Sequence, residues 1–291
     1  MSKIDRILCP IDFSEFSVTA YDYAQSLAWH YRATLYLEHV IDSLTPYYPY
    51  QAFPEAYEEM CRSMRAGAEE QLKGFAEEHS RHGVAPQCYV TDGVATDWIL
   101  DFAEAQAVNL IVMGTHGLRG IDHLTLGSVT EKVLRKARCP VLAVCKPAHG
   151  PVTPGGEPDL HRILYCTDFS DCSEQAFDHA VSLASEYKAE LTLLHMLEGI
   201  TNSVDIESEI VKVMQSLEKR ITPEMNKNCT TKAVVRIGKA YQQIIELALE
   251  SQTDLIVMGV RGRHSMDRAI FGSTTYRVVQ SGPCPVLVVH T

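Results

Sequence analysis

The sequence predicts an α/β protein built as two tandem doubly wound open-sheet domains, each with five parallel strands. The first supporting observation is an internal repeat. ILCPIDFSEFSVTAYDYAQSLAWHYRATLYLEHV from Ile7 aligns without a gap onto ILYCTDFSDCSEQAFDHAVSLASEYKAELTLLHM from Ile163, at an offset of 156. NLIVMGTHG from Asn109 then aligns onto DLIVMGVRG from Asp254, and RCPVLAV from Arg138 onto PCPVLVV from Pro283, at an offset of 145. Self-similarity on this scale decides the architecture before any motif does. The second observation is that short apolar, β-branched runs alternate with amphipathic stretches in each copy. The third is that runs such as LIVMG lack polar alternation, as in parallel strands covered by helices on both faces.

The elements follow in order. In the first copy, strands are predicted over residues 4–11, 34–41, 85–91, 110–114 and 141–145. Ala20, Ala24, Leu27, Ala28 and Tyr31 form one apolar helix face, and Ala176, Ala180, Leu183, Ala184 and Tyr187 repeat it. A second helix places Tyr57, Met60, Met64, Ala68, Leu72 and Phe75 on one side; a third uses Ile99, Phe102 and Ala103, matched by Ile244, Leu247 and Ala248. The two offsets differ by 11 residues, lost from the second copy between about residues 42 and 89, as a surface loop or helix end would be. Residues 146–160 hold four prolines and three glycines and read as an extended linker with the boundary near residue 150. The predicted organisation is a first domain over 1–146, a linker over 147–160 and a second domain over 161–291.

A chain of 291 residues with 46% apolar composition has material for two cores. Its 26 Lys and Arg against 37 Asp and Glu give a net charge of −11, which argues against unspecific binding to nucleic acid or anionic lipid. Any anion must be held locally. No apolar run reaches the roughly 18 to 20 residues a bilayer demands, and Asp5, Arg6 and Asp12 fall where a signal peptide would be apolar, so a cytoplasmic location is expected. Nine cysteines without a CxxC pair predict neither disulfides nor zinc; Cys9, Cys139, Cys145 and Cys284 sit in strand-like runs as small apolar residues.

After the fourth strand each copy turns glycine-rich. Gly114-Thr115-His116-Gly117 is followed by nine residues and Gly127-Ser128; Gly259-Val260-Arg261-Gly262 is followed by nine residues and Gly272-Ser273. Glycines let backbone N–H groups approach a ligand. Ser128 and Ser273 open helices predicted to run to Val133 and Val279, and helix N-termini carry unpaired donors and partial positive charge that suit phosphate. Loops leaving the carboxyl ends of strands are where open α/β sheets bind ligands. Two other readings stay open: the glycines make tight turns, and Ser128 with Glu131 forms a capping box. Tyr276 replaces Glu131 in the second copy, so capping alone does not account for the retained serine.

The D-F-S-x-x-S opening after the first strand, the G-x2-G-x9-G-S loop and the C-P-V-L-x-V strand together resemble the universal stress protein family, in its tandem two-domain form. The likeness covers both halves apart from the linker. It implies the adenine-nucleotide alpha hydrolase-like fold, with strand order 3-2-1-4-5 and ATP, with or without magnesium, between strands one and four, where Asp12 and Gly114 would face each other. By this resemblance Pro10, Ile11, Asp12 and the Val40 backbone, beside Met113 and Gly114, hold adenine and ribose, and Gly117, Gly127, Ser128 and Val129 hold phosphates. The matching positions are Cys166, Thr167, Asp168, Met196, Met258, Gly259, Gly262, Gly272, Ser273 and Thr274. Asp12 has a second role open to it, capping the first helix with Ser14; the two are compatible. Arg261, Arg263 and Arg268 make the second loop more basic, which suits phosphate and equally suits solvated surface charge.

No GxxxxGK[ST] loop, SGGxDS loop, HIGH/KMSKS pair or GxSxG elbow occurs. His39 and His195, at matching strand ends, read either as bases or metal ligands or, more commonly, as rings packed beside a sheet. Rapid hydrolysis has no evident base. The expectation is a nucleotide-dependent regulator of the stress response, at most a slow ATPase; the competing readings are an interaction module that no longer binds nucleotide and an ATP-dependent enzyme. The resemblance implies that the last strands, VLAVC and VLVVH, pair the two domains, which would cover otherwise bare edges. Pairing of two whole chains into a homodimer is left open. The insert Pro46-Tyr47-Tyr48-Pro49-Tyr50 reads as an ordered loop, with a lid or partner contact as the alternative.

Overall fold

A computed structural model describes residues 4–42, 54–80, 83–117, 126–145, 160–199, 203–262 and 271–290. The linker up to residue 159, the tyrosine-rich insert and most of both nine-residue loops, Arg263 and Arg268 included, lie outside the described residues. The first half runs β1 (Arg6–Pro10), α1 (Glu15–Tyr31), β2 (Thr34–Asp42), α2 (Pro54–Glu78), β3 (Gln87–Gly93), α3 (Ala95–Ala105), β4 (Leu110–Gly114), α4 (Ser128–Lys136) and β5 (Val141–Val144). The second runs β6 (Arg162–Thr167), α5 (Asp171–Tyr187), β7 (Glu190–Leu197), α6 (Ser203–Glu218), the short α7 (Met225–Asn228), β8 (Thr230–Ile237), α8 (Ala240–Glu250), β9 (Leu255–Gly259), α9 (Ser273–Ser281) and β10 (Val286–Val289).

Within each half the strands are parallel in the order 3-2-1-4-5, and the halves join through one antiparallel pair, β5 with β10, at Val286↔Ala143, Leu287↔Leu142 and Val288↔Val141. The described residues thus form one sheet of ten strands, β3-β2-β1-β4-β5-β10-β9-β6-β7-β8. β4 and β9, both LIVMG, are buried along their whole length, as strands covered on both faces must be. One core layer lies under α1 and α5 and includes Leu27, Leu142, Leu183 and Leu287; the other lies under α3, α4, α8 and α9 and includes Ile99, Val133, Ile244 and Val279. Both layers cross from one half to the other, so the seam is core rather than surface.

Three expectations require correction. Strand ends shift by one or two residues where the backbone leaves the ladder. The apolar row of α2 is buried only near its C-terminus, at Leu72 and Phe75, while Met60 and Met64 are 40% and 38% exposed. The physical reason is length: α2 has 25 residues, about 37 Å at 1.5 Å per residue, against roughly 23 Å for a seven-residue strand. The third concerns α4 and α9, which extend past Val133 and Val279 to Lys136 and Ser281. Much of the length contraction falls in one element, since α6 has 16 residues where α2 has 25.

At the ends of α1 and α5 the halves also meet through polar groups. Glu186 accepts from Tyr31 Oη at 2.9 Å and contacts His30 Nε2 at 2.9 Å, and the His30 ring stacks on Tyr187 at 4.9 Å. Because this cluster is partly solvated, its net worth is modest. Glu186→Ala is expected to lower unfolding stability by about 1 kcal/mol, and a double-mutant cycle with Tyr31→Phe in chemical denaturation should return a non-zero coupling; strict additivity would show that the cluster does not hold the halves.

Candidate nucleotide site

The cleft is built from the two chain segments that leave β1 and β4. Beyond Pro10 the ladder continues one step, with Ile11 N donating to Glu38 O at 2.8 Å. The chain then turns at Phe13, whose φ of 63° is left-handed, as is the 60° of Phe169 in the second half. The turn aims the preceding aspartate inward and lets the following serine cap a helix: Ser14 and Ser170 accept from the backbone of Ser17 and Ser173. Asp12 Oδ1 accepts from Ser14 N at 3.0 Å and Ser14 Oγ at 2.6 Å; Asp168 Oδ1 accepts from Ser170 N at 3.1 Å. The capping arrangement expected for Asp12 and Ser14 is therefore present, and it runs through Oδ1.

The other carboxylate oxygen lies against the glycine loop. A Cβ placed on Gly117 would stand 2.5 Å from Asp12 Oδ2, and one on Gly262 would stand 2.6 Å from Asp168 Oδ2. The glycine that meets Asp12 is thus Gly117, in the loop beyond β4, and not Gly114 at the strand's end. Gly114 faces the opposite side of the sheet, where a Cβ would come within 2.8 Å of Phe16 Cβ and 2.9 Å of its backbone carbon; Gly259 is placed the same way against Cys172. Gly114 and Gly259 are glycine so that α1 and α5 can pack closely.

The two ends of each nine-residue loop are tied together. Gly127 N donates to Thr115 O at 2.8 Å and Gly272 N to Val260 O at 3.1 Å, while Thr130 Oγ1 and Thr275 Oγ1 donate to Gly114 O and Gly259 O at 2.8 and 3.0 Å. These two threonines were not singled out in the sequence, though their shared position three residues after the last glycine of both loops marks them. Gly127 and Gly272 are the N-caps of α4 and α9, and neither helix has a side-chain cap bond. The capping box held open as an alternative reading is not formed: Ser128 is the first helical residue, and Glu131 pairs instead with Arg135 at 2.7 Å. The first-turn amides, at Ser128 and Val129 and at Ser273 and Thr274, therefore carry the donors and partial charge of an open helix N-terminus.

Pro10, Glu38, Val40 and Met113 lie on the α3 and α4 face of the sheet, as strand alternation from Leu8, Tyr36 and Ile111 requires. Cys166, Met196 and Met258 occupy the same face in the second half. His39 Nδ1 lies 2.8 Å from Ile11 O and His195 Nδ1 2.9 Å from Thr167 O, and their rings pack on Phe13 and Phe169 at 4.7 and 4.6 Å. Both imidazoles brace the strand end that presents the aspartate. None of the nine cysteines is joined to another, and burial pushes the Cys139 and Cys145 thiols up to about 11. Among the described residues no cluster of His, Cys, Asp or Glu could ligate a metal, and no helix is long and apolar enough to cross a membrane.

One residue missed in the sequence is Glu38, wholly buried on β2. The signal was available, because its repeat partner at the same offset is Leu194, also in the core.

Comparison with known proteins agrees with this architecture. The model of the universal stress protein family matches residues 3–144 and 160–290. A universal stress protein of Methanocaldococcus jannaschii is 35% identical over 144 residues, covering 49% of this chain and 82% of its own length. One of Mycolicibacterium smegmatis is 27% identical over 292 residues, covering 98% of this chain and 96% of its own. The crystal structure of a universal stress protein from Archaeoglobus fulgidus superposes with a TM-score of 0.68 at 21% identity, covering 99% of this chain and 97% of that one.

Proposed function

The chain belongs to the universal stress protein family in both halves, and from that premise we propose that it is an ATP-binding regulator with one nucleotide site per half. The observation that carries this reading is the cradle found twice: a carboxylate oxygen set against a glycine whose Cβ would displace it, beside a helix N-terminus without a side-chain cap. Such an arrangement suits a ribose and a polyphosphate. In the first half Asp12 would accept from ribose hydroxyls, Pro10, Ile11, Met113 and the Val40 backbone would flank the base, and the amides at Ser128 and Val129 would take phosphate oxygens, with Gly117 and Gly127 leaving room for their approach. In the second half Thr167, Asp168, Met196, Met258, Gly262, Gly272, Ser273 and Thr274 would do the same.

A backbone field of this kind explains how a chain of net charge −11 holds a polyanion without a basic surface. The proposed units are 1–146 and 161–291 joined by 147–160, acting as a pseudo-dimer through β5 and β10, in the cytoplasm, with the nucleotide setting the chain's affinity for its partners. Titration calorimetry of the whole chain with MgATP is expected to give a stoichiometry approaching two, reduced to one by Asp12→Ala or by Asp168→Ala. A stoichiometry of zero for the wild type, with no nucleotide released on denaturation, would favour an interaction module instead.

A further inference from the structure

Glu38 is 0% exposed, and among the described residues neither of its carboxyl oxygens has a hydrogen-bond partner; the hydroxyl of Thr91 on β3 is buried and unpartnered as well. Strand register sets Glu38 beside Pro10 on one side and Tyr89 on the other, with Val40 paired to Thr91 one step toward the cleft. Alternation places Pro10, Glu38, Val40 and Thr91 on one face of the sheet, the face that carries the base side of the proposed site. Thr91 is close enough to hold the Glu38 carboxyl down against the effect of burial, although its hydroxyl does not reach hydrogen-bond geometry.

The second half lacks this pair. Leu194, 0% exposed, stands where Glu38 does, and Arg236, which pairs with Glu250, stands where Thr91 does. An unpaired carboxyl in a core is among the costlier things a protein can bury. The Thr91 hydroxyl can meet at most one of the acceptor positions of the Glu38 carboxyl, so the pair has capacity for a further donor beneath the first site, where leucine and arginine leave none beneath the second.

Building on the nucleotide reading above, we propose that Glu38, supported by Thr91, reads the exocyclic amine of the base in the first half, so that the first site selects an amino-bearing purine and the second does not. A carboxyl oxygen accepts from the amino N–H. At Leu194 that N–H finds no acceptor, so the second half recognises the base by shape and backbone alone.

The test uses the full chain carrying Gly262→Val, which closes the second cradle, titrated calorimetrically with ATP and with purine riboside triphosphate, which lacks only the 6-amino group. ATP is expected to bind roughly 10- to 100-fold more tightly, the range of a hydrogen bond to a charged group. Glu38→Leu in that background should bring the two affinities within about twofold by weakening ATP alone, while Glu38→Gln, which keeps one acceptor oxygen, should retain part of the preference. A ratio near one before substitution, or an unchanged ratio in Glu38→Leu, overturns the assignment of Glu38 while leaving nucleotide binding in place. Binding of neither nucleotide overturns both readings. Thermal unfolding of each variant confirms that a lost preference is not lost structure.

Discussion

Glu38→Leu is expected to raise the unfolding stability of the nucleotide-free protein by about 3 kcal/mol more at pH 8 than at pH 4.5. Burial on β2, between Pro10 of β1 and Tyr89 of β3, pushes the Glu38 carboxyl from its ordinary 4.5 up to about 7, with the nearby Thr91 hydroxyl pulling the other way. Below pH 4.5 the group is protonated whether the chain is folded or not, so its ionisation opposes nothing. Between 4.5 and 7 the folded state binds more protons than the unfolded state, and stability falls as pH rises. Above 7 the native protein must bury a carboxylate, and the difference between the two pKa values converts to roughly 3 kcal/mol at 1.36 kcal/mol per tenfold change. Leucine removes the titrating group and is the residue the second half already carries at this position. Urea denaturation of wild type and variant at the two pH values measures the difference, and Glu38→Gln should flatten the pH profile without the full gain, since its amide remains unsatisfied. A gain of equal size at both pH values would mean that packing, not ionisation, separates the two residues.

Glu38 also shows how far the sequence could be read. The duplication, the five-strand plan and the segment holding the length change were legible because they repeat, and a repeat converts single ambiguous patterns into paired ones. The site's backbone was legible for the same reason: the glycine spacing and the aspartate after the first strand recur at fixed offsets. What could not be read was which way each residue faces. Gly114 and Gly117 look alike in the string, yet β4 turns one toward α1 and leaves the other beside Asp12. Ser128 and Glu131 have capping-box spacing, but the box requires the serine to precede the helix, and Gly127 occupies that place. Met60 and Met64 have the correct helical phase, but phase says nothing about where the sheet beneath the helix ends. Glu38 differs in kind, because there the repeat itself is broken and the break is the signal.

The paired glycines also allow fold and site to be separated by one methyl group. Gly114→Ala is expected to destabilise the protein by about 3 kcal/mol, the upper part of the range for overpacking a core, because the new Cβ would meet the backbone of Phe16 at 2.9 Å. Backbone cannot rotate aside as a side-chain end can, so α1 must move away from β4 and take Ala20 and Ala24 with it. Gly117→Ala places its methyl at a similarly short 2.5 Å, but against Asp12 Oδ2, the tip of a partly exposed side chain that can turn away. Its stability should therefore change by less than about 1 kcal/mol, while the carboxylate is pushed out of the position proposed for the ribose. In thermal unfolding with and without MgATP, Gly114→Ala should start lower and still be stabilised by ligand at temperatures where it is folded. Gly117→Ala should start near wild type and lose the first site's share of the stabilisation, since a ligand raises stability only as far as it binds the native state. If the two variants exchanged these behaviours, Gly114 would be the glycine at the ligand and Gly117 the one at the helix, and β4 would have to present its opposite face to α1.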